Sequence, residues 1–136
     1  MFIANREMTE IINVNSILAV HTQKALRQIT IHTDNRIVYF RVDTAEELEE
    51  YERQIEMSLY SATNRWAACQ NWFFRADKIS GANILDHDGL TVYINGKAYL
   101  VPRRGEDRKE ALMEEFSKSL SYPLMADKGP NLVIIK

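Results

Sequence analysis

The sequence predicts an α+β fold in which hairpins and a meander of an antiparallel sheet are covered on one face by two main amphipathic helices. The first observation is a unit of strand, tight turn, strand and helix that occurs twice, at Gln28–Leu59 and at Leu90–Leu120. The second is that apolar residues alternate within the strands and then recur every three or four residues in the helices. Tight turns pair neighbouring strands antiparallel, and the apolar faces of strands and helices then cover each other.

Length and composition indicate a single domain over residues 1–136. Hydrophobic residues make up 46% of the chain and charged residues 26%, as in ordinary globular proteins. A chain of 136 residues can also bury a core without a disulfide or a metal ion. We predict two similar halves, 1–62 and 82–136, joined by a helical segment at 63–79.

The first half begins with strands. Phe2-Ile3 begins one strand, and Ile11–Val20 alternates well enough to form a second, half-buried strand. A hairpin follows from Gln28, with its turn at Asp34-Asn35. The hairpin has one predicted buried face, which carries Ile29, Ile31, Val38, Phe40 and Val42.

A capped amphipathic helix follows this hairpin. Asp43 or Thr44 can accept a hydrogen bond from an unpaired backbone N–H, and Glu46 or Glu47 completes a capping box. The acidic run lies where the helix dipole favours negative charge, so a solvated face explains it better than paired catalytic carboxylates. The apolar stripe of the helix consists of Leu48, Tyr51, Ile55 and Leu59.

The end of this helix is the main ambiguity. No Gly or Pro occurs between Asp43 and Ser80, and the apolar spacing continues as far as Phe73. One helix from residue 44 to 75, a second helix that begins at an Asn64 cap, and a strand over Trp66–Arg75 are the three alternatives. We favour helix because the alanines and the glutamine of this stretch are poor strand formers.

The second half opens at Ser80-Gly81, where we expect the helical segment to end. Ala82–Leu85 is then predicted to form a short strand. Asp86-His87-Asp88 could offer ligands to a divalent metal ion, but the Gly that follows makes a turn the better interpretation.

A hairpin and a second helix complete the chain. Thr91–Ile94 and Ala98–Val101 flank Asn95-Gly96, which favours a type I′ turn because both central residues of that turn adopt positive φ. We predict the helix over Glu106–Leu120 and a last strand over Leu132–Ile135.

Three consecutive large apolar residues occur within the predicted helical segment. On a helix they would cover about 200°, so they could not all face one core. A partner chain is the simplest cover, since interface cores are enriched in aromatic residues and Arg. The main functional interpretation is a non-enzymatic protein-interaction or assembly module that forms a homodimer or higher homo-oligomer, with another protein as a further partner. The candidate interface residues are Trp66, Trp72, Phe73, Phe74 and Arg75.

The alternative interpretation is a single-stranded nucleic-acid-binding protein that uses an exposed sheet face. In such proteins aromatic rings stack on bases while basic side chains follow the backbone. The formal net charge of −2 has the wrong sign for long-range attraction to phosphates, so a local basic patch would be required. The candidate residues are Tyr39, Arg41, Tyr93, Lys97, Tyr99, Arg103 and Arg104.

A small-molecule- or metal-dependent enzyme is the third interpretation, and the sequence gives it little support. Cys69 could act with His21, His32 or His87, but it lies on an apolar stripe where a thiol simply packs. The five glycines are scattered and form no phosphate-binding loop. We predict no catalytic residues, no metal site and no cofactor.

The single cysteine and the lack of a signal-like N-terminus predict an intracellular, cytoplasmic protein. Apolar runs such as Leu132–Ile135 are far shorter than the ~20 residues that span a bilayer, so we expect no membrane partner. Hairpins followed by acidic-capped helices are loosely similar to small bacterial or phage accessory proteins, and this likeness implies no site residues.

Overall fold

The chain has an α+β fold, as the sequence predicts. The computed structural model describes residues 2–62, 66–85, 89–103 and 109–121. Within these ranges it contains two helices and ten strands, and the strands form antiparallel sheets. The chain divides into two compact units, Met1–Asn64 (unit 1) and Arg65–Lys136 (unit 2).

Unit 1 contains five strands. β1 and β2 form an antiparallel pair, and β4 lies between β3 and β5 and pairs antiparallel with both. Short 3-10 turns at Val14–Ser16 and Lys24–Leu26 precede and follow β3. The strands are β1 (Phe2–Ala4), β2 (Ile11–Asn13), β3 (Ile17–Gln23), β4 (Gln28–Thr33) and β5 (Ile37–Arg41).

The predicted hairpin of unit 1 is confirmed, and four of the five residues predicted for its buried face are buried, whereas Val42 follows β5 and is half-buried. Ile29 lies opposite Phe40 and Ile31 lies opposite Val38, and all four side chains are buried. The strand predicted over Ile11–Val20 is instead divided by the first 3-10 turn, so the strand pairing changes within that stretch.

Helix α1 (Ala45–Ala62) begins as predicted. Thr44 is the cap, because its Oγ1 accepts a hydrogen bond from the Glu47 backbone N–H at 3.1 Å, and the same hydroxyl donates to Glu47 Oε1 at 3.1 Å. The predicted apolar stripe is confirmed, since its four residues, Leu48, Tyr51, Ile55 and Leu59, are all buried.

Unit 2 contains a hairpin, a three-stranded meander and a helix. β6 pairs antiparallel with β7, and β9 lies between β8 and β10. The elements are β6 (Trp66–Cys69), β7 (Trp72–Arg75), β8 (Ile79–Leu85), β9 (Gly89–Ile94), β10 (Lys97–Pro102) and α2 (Lys109–Ser121).

The helical segment predicted at 63–79 is wrong, because Trp66–Arg75 forms the β6–β7 hairpin. A strand places Trp72 and Phe74 on one face and Phe73 on the other, and aromatic residues favour strands. The chain turns at Gln70, which adopts the left-handed conformation with φ +55°. This turn uses neither Gly nor Pro, so the sequence carries no conventional signal for it.

The break predicted at Ser80-Gly81 is also wrong. Both residues lie within β8, where the pairing with β9 is irregular between Ile79 and Gly81. Glycine inside a strand commonly marks such an irregularity rather than an end. In contrast, the Asn95-Gly96 turn is confirmed, with φ +50° and +77°.

Several predictions fall outside the described residues. These are the Asn64 cap, the turn at Asp86-His87-Asp88, the first residues of the second helix and the strand Leu132–Ile135. No helix in the described ranges is long and apolar enough to cross a membrane.

Candidate functional site

The residues predicted to form an interface are mostly core residues of unit 2. Trp66, Trp72, Phe74 and Arg75 are buried, and Phe73 is half-buried. The rings of Trp72 and Phe74 stack with their centroids 5.2 Å apart. Most of these side chains are therefore covered within the single chain, and the helical geometry that led to the interface prediction is absent.

Other elements of unit 2 complete this aromatic core. Phe74 meets Phe116 of α2 edge-on at 6.1 Å and lies 6.2 Å from Tyr99 of β10. Helix α2 also covers the outer edge of β6, since the Ala68 backbone N–H donates to Ser119 Oγ at 2.6 Å. This arrangement fixes the β6–β7 hairpin against the helix.

Tyr99 does not lie on an outward sheet face as predicted. It is 6% exposed, its ring contacts the aromatic core, and burial raises the pKa of its hydroxyl. Tyr93 does lie on the outward face of β9, where it is half-buried and its hydroxyl donates to Asn83 Oδ1 at 3.4 Å. Arg104, another of the predicted residues, lies outside the described residues.

Tyr39 and Arg41 share the outward face of β5, as predicted. Arg41 is held in place, because its Nε donates to Gln28 Oε1 at 2.9 Å and its guanidinium lies 5.7 Å from the centre of the Tyr39 ring. Gln28 is fixed in turn by a 2.5 Å hydrogen bond from its Nε2 to Gln23 Oε1. A chain of polar side chains thus orients one exposed cation.

Arg41 shares a groove with two carboxylates, of which Glu10 is paired with Arg36 at the other end of β5. A shallow groove beside β5 is lined by Asn5, Glu7, Glu10, Ile37, Val38, Tyr39 and Arg41. Two carboxylates in one groove repel a phosphate, because like charges in close proximity disfavour binding. The groove as a whole therefore suits an anionic nucleic acid poorly.

Three cations of unit 2 have different surroundings, and of these Lys78 and Lys97 are exposed and Arg103 is half-buried. Lys78 ends a 3-10 turn before β8, Lys97 begins β10, and Arg103 follows β10. Within the described parts of the chain none of the three makes an ion pair. Their charges remain available to an external anion.

The strand register fixes where these cations lie. Ile94 is the partner of both Ile79 and Lys97, so Lys78 and Lys97 lie at the same end of the meander. Arg103 lies beyond the other end, about 20 Å away at ~3.3 Å per residue. Sequence inspection missed Lys78, which has no neighbouring cation in the chain, and only the strand register brings it level with Lys97.

Gly89, which the sequence assigns to a turn, begins β9, and its close approach to a neighbouring strand was not predicted. Its φ is +112°, and a Cβ atom at this position would lie 2.3 Å from the Val101 carbonyl oxygen and 2.8 Å from the Arg103 backbone nitrogen. Only glycine permits this approach. Gly89 therefore fixes the backbone path that leads into Arg103.

The titratable groups considered for catalysis are poorly placed for it. Cys69 is buried, and desolvation, followed by its interaction with Glu115, raises the pKa of its thiol. A reactive thiol needs a lowered pKa. Burial also lowers the pKa of half-buried His21, His87 is not among the described residues, and the described residues hold no group of three or more metal-ligating side chains.

No protein-family model matches the chain, and no curated protein matches it either. Among solved structures, the chain is similar to one described as the LytTr DNA-binding domain of a methyl-accepting/DNA response regulator from Bacillus cereus. The match covers 90% of this chain and 96% of that chain, with a TM-score of 0.54 and 9% sequence identity. At this identity the likeness shows a shared fold.

Proposed function

We propose that this protein binds DNA and contacts phosphates with Lys78, Lys97 and Arg103 of unit 2. The observation that carries the proposal is that Lys78, Lys97 and Arg103 form no ion pair within the described residues, with Lys78 and Lys97 exposed and Arg103 half-buried. Lys and Arg supply most of the affinity of proteins for nucleic acid through phosphate contacts. The fold shared with a domain described as DNA-binding supports the proposal by analogy.

The distribution of charge supports unit 2 as the binding surface. Unit 2 contains eleven Lys and Arg against nine Asp and Glu, whereas unit 1 contains six against ten. The formal net charge of −2 therefore combines an acidic unit with a basic one. Long-range attraction between DNA and unit 2 is possible although the whole chain is acidic.

Duplex DNA fits this surface better than a single strand. Binding of single strands depends on exposed aromatic rings that stack with bases. Tyr99 is buried, Tyr93 is half-buried, and Tyr39 lies beside carboxylates. The ~20 Å between Lys97 and Arg103 corresponds to the rise of about six base pairs along the axis of a duplex, at 3.4 Å each.

We also propose that the protein is not an enzyme. The buried Cys69, with its raised pKa, is unsuited to attack a substrate. That the protein is a bacterial or phage accessory protein stays a prediction, and so does its cytoplasmic location.

The test compares two double variants with the same change in charge. Lys97→Gln with Arg103→Gln removes two proposed phosphate contacts, and Arg36→Gln with Arg53→Gln removes two cations that are paired with carboxylates in unit 1. We expect the first variant to weaken binding of a mixed-sequence duplex roughly 30-fold, at about 1 kcal/mol for each charge-assisted contact. Fluorescence anisotropy with duplex and single-stranded DNA gives both affinities.

The control variant should bind the duplex as the wild type does. Equal losses in the two double variants would show that only net charge matters, and the proposed surface would be wrong. Tighter binding of the single strand than of the duplex would contradict the choice of duplex DNA.

A further inference from the structure

β5 is an uncovered edge of the sheet formed by β3, β4 and β5. One side of β5 pairs with β4, and no other strand in the described part of the chain pairs with its second side. Ile37 and Tyr39 are each 49% exposed and lie on the same face of the strand. An unpaired edge with apolar side chains is a template for another strand.

The end of β5 at Ile37 is acidic. Arg36 precedes the strand and forms an ion pair with Glu10 at 2.9 Å. Asp34, exposed in the preceding turn, adds a further negative charge. Two carboxylates and one guanidinium thus lie around this end.

The other end of β5 is basic. Arg41 ends the strand with its guanidinium held by Gln28, and Arg27 donates from its Nη1 to the backbone oxygen of Asp43 at 2.5 Å. Arg27 and Asp43 are both exposed. Two guanidinium groups and one carboxylate thus lie around this end, the reverse of the balance at Ile37.

We propose that two copies of this chain form a two-fold symmetric dimer in which β5 pairs antiparallel with β5 of the second copy, centred on Tyr39. Antiparallel pairing brings the acidic end of each strand against the basic end of the other, whereas parallel pairing would bring like charges together. The register centred on Tyr39 pairs all five residues of β5, with Ile37 opposite Arg41 of the second copy.

The groove beside β5 fits the second copy. Its carboxylates, Glu7 and Glu10, lie beside the edge that receives the other strand. Arg41 of the second copy is already oriented by Gln28 and Tyr39, so little side-chain freedom is lost when it meets these carboxylates. Carboxylates that disfavour DNA at this groove therefore favour a second copy of the chain.

The dimer should be weak, because one pair of five-residue strands buries less than the ~1,000 Å² typical of stable interfaces. Sedimentation of nuclease-treated protein should therefore show a mass that rises from 15.8 kDa toward twice that value with concentration. Arg41→Glu should raise the dissociation constant at least tenfold, since it places like charges opposite each other. A mass that stays at 15.8 kDa at all concentrations would overturn the proposal.

Disulfide cross-linking tests the register directly. Tyr39→Cys places two thiols opposite each other at a Cα separation of about 4.5–5.5 Å, which a disulfide can span. Ile37→Cys is the matched control, because Ile37 has the same exposure and lies on the same face. In the proposed register the two substituted residues at position 37, one in each copy, are four residues apart along the strands. This is about 13 Å, which is too far for a disulfide.

We expect Tyr39→Cys to form a covalent dimer under mild oxidation at least tenfold faster than Ile37→Cys. The wild type should form none, because its native Cys69 is buried. Equal rates, faster cross-linking of Ile37→Cys, or no cross-linking of either variant would overturn the proposed pairing, and the last outcome would leave another protein as the occupant of this edge. These results do not depend on DNA binding, so the two proposals can fail separately.

Discussion

The two units of this protein use their basic side chains differently. In unit 1, Arg6 pairs with Glu47, Arg36 with Glu10, and Arg53 with Glu50. The other three cations of unit 1, Lys24, Arg27 and Arg41, form no ion pair with any described residue. In the described part of unit 2, Arg75 pairs with Asp77, whereas Lys78, Lys97, Arg103 and Lys118 form none. Net charge therefore says little about which cations an external anion can reach. Within the described residues three of the six cations of unit 1 are paired, against one of the five of unit 2 whose side chains are described.

The units also differ in what stabilises them. The inner face of the unit 1 sheet is mainly aliphatic, and its outer face carries hydrogen-bonded polar side chains such as Gln23, Gln28 and Thr30. Unit 2 instead has an aromatic core around Phe74 and Phe116. The difference predicts where substitutions are most harmful.

The largest effect is expected at the aromatic core of unit 2. Phe74→Ala removes a fully buried ring and should lower the free energy of unfolding by about 3–5 kcal/mol. Phe73→Ala, on the other face of β7, is the control and should cost clearly less, because Phe73 is only half-buried. Urea unfolding measures both variants. Equal losses of unfolding free energy in the two variants would contradict the inference that the alternating faces of β7 determine which of the two rings is buried.

A smaller loss of unfolding free energy is expected on substitution of Gly89. Gly89→Ala places a Cβ 2.3 Å from the Val101 carbonyl oxygen at φ +112° and should cost about 2 kcal/mol, since backbone atoms must move. Gly81→Ala is a matched control, because a Cβ at Gly81 meets nothing within 4 Å. Thermal or urea unfolding gives the difference between them. If the variants were equally stable, the close approach that leads into Arg103 would be refuted.

The smallest effect concerns pH and unit 1. Burial lowers the pKa of His21 in the folded state, so the unfolded chain binds a proton more readily. At pH 8 the His21 ring is neutral in both the folded and the unfolded chain. The free energy of unfolding should therefore decrease as the pH falls below about 6.5, the pKa of His in the unfolded chain. His21→Gln should remove this part of the pH dependence between about pH 8 and 5.5, as urea unfolding at a series of pH values would show. An unchanged dependence in His21→Gln would contradict the assignment.

Local sequence patterns predicted much of the fold. Alternation located the β4–β5 hairpin, the Asn95-Gly96 pair located the β9–β10 turn, and Thr44 with Glu47 marked the start of α1. The β6–β7 hairpin was missed because its turn depends on Gln70 in a left-handed conformation. Such a turn is stabilised by contacts distant in sequence, here the hydrogen bond from the Gln70 backbone N–H to Glu115 at 2.9 Å.

The candidate site was less predictable than the fold. Lys97 and Arg103 were identified from sequence, but Lys78 joins them only through the register of β8 on β9. Tyr99 was misplaced because alternation alone does not say which face of a strand is covered. Pairing of cations with carboxylates depends on tertiary structure, so the contrast between the units could not be predicted from composition.

The central claim is that the cations of unit 2 contact DNA phosphates, and the salt dependence of duplex binding by the wild type and Lys97→Gln tests it most directly. Three contacts predict that affinity falls about 40-fold between roughly 50 and 200 mM salt, and two contacts predict about 12-fold, at a slope of ~0.9 per phosphate. Arg53→Gln, which alters a paired cation of unit 1, should keep the wild-type slope. A slope that is the same in all three proteins, or no binding of duplex DNA, would contradict the account.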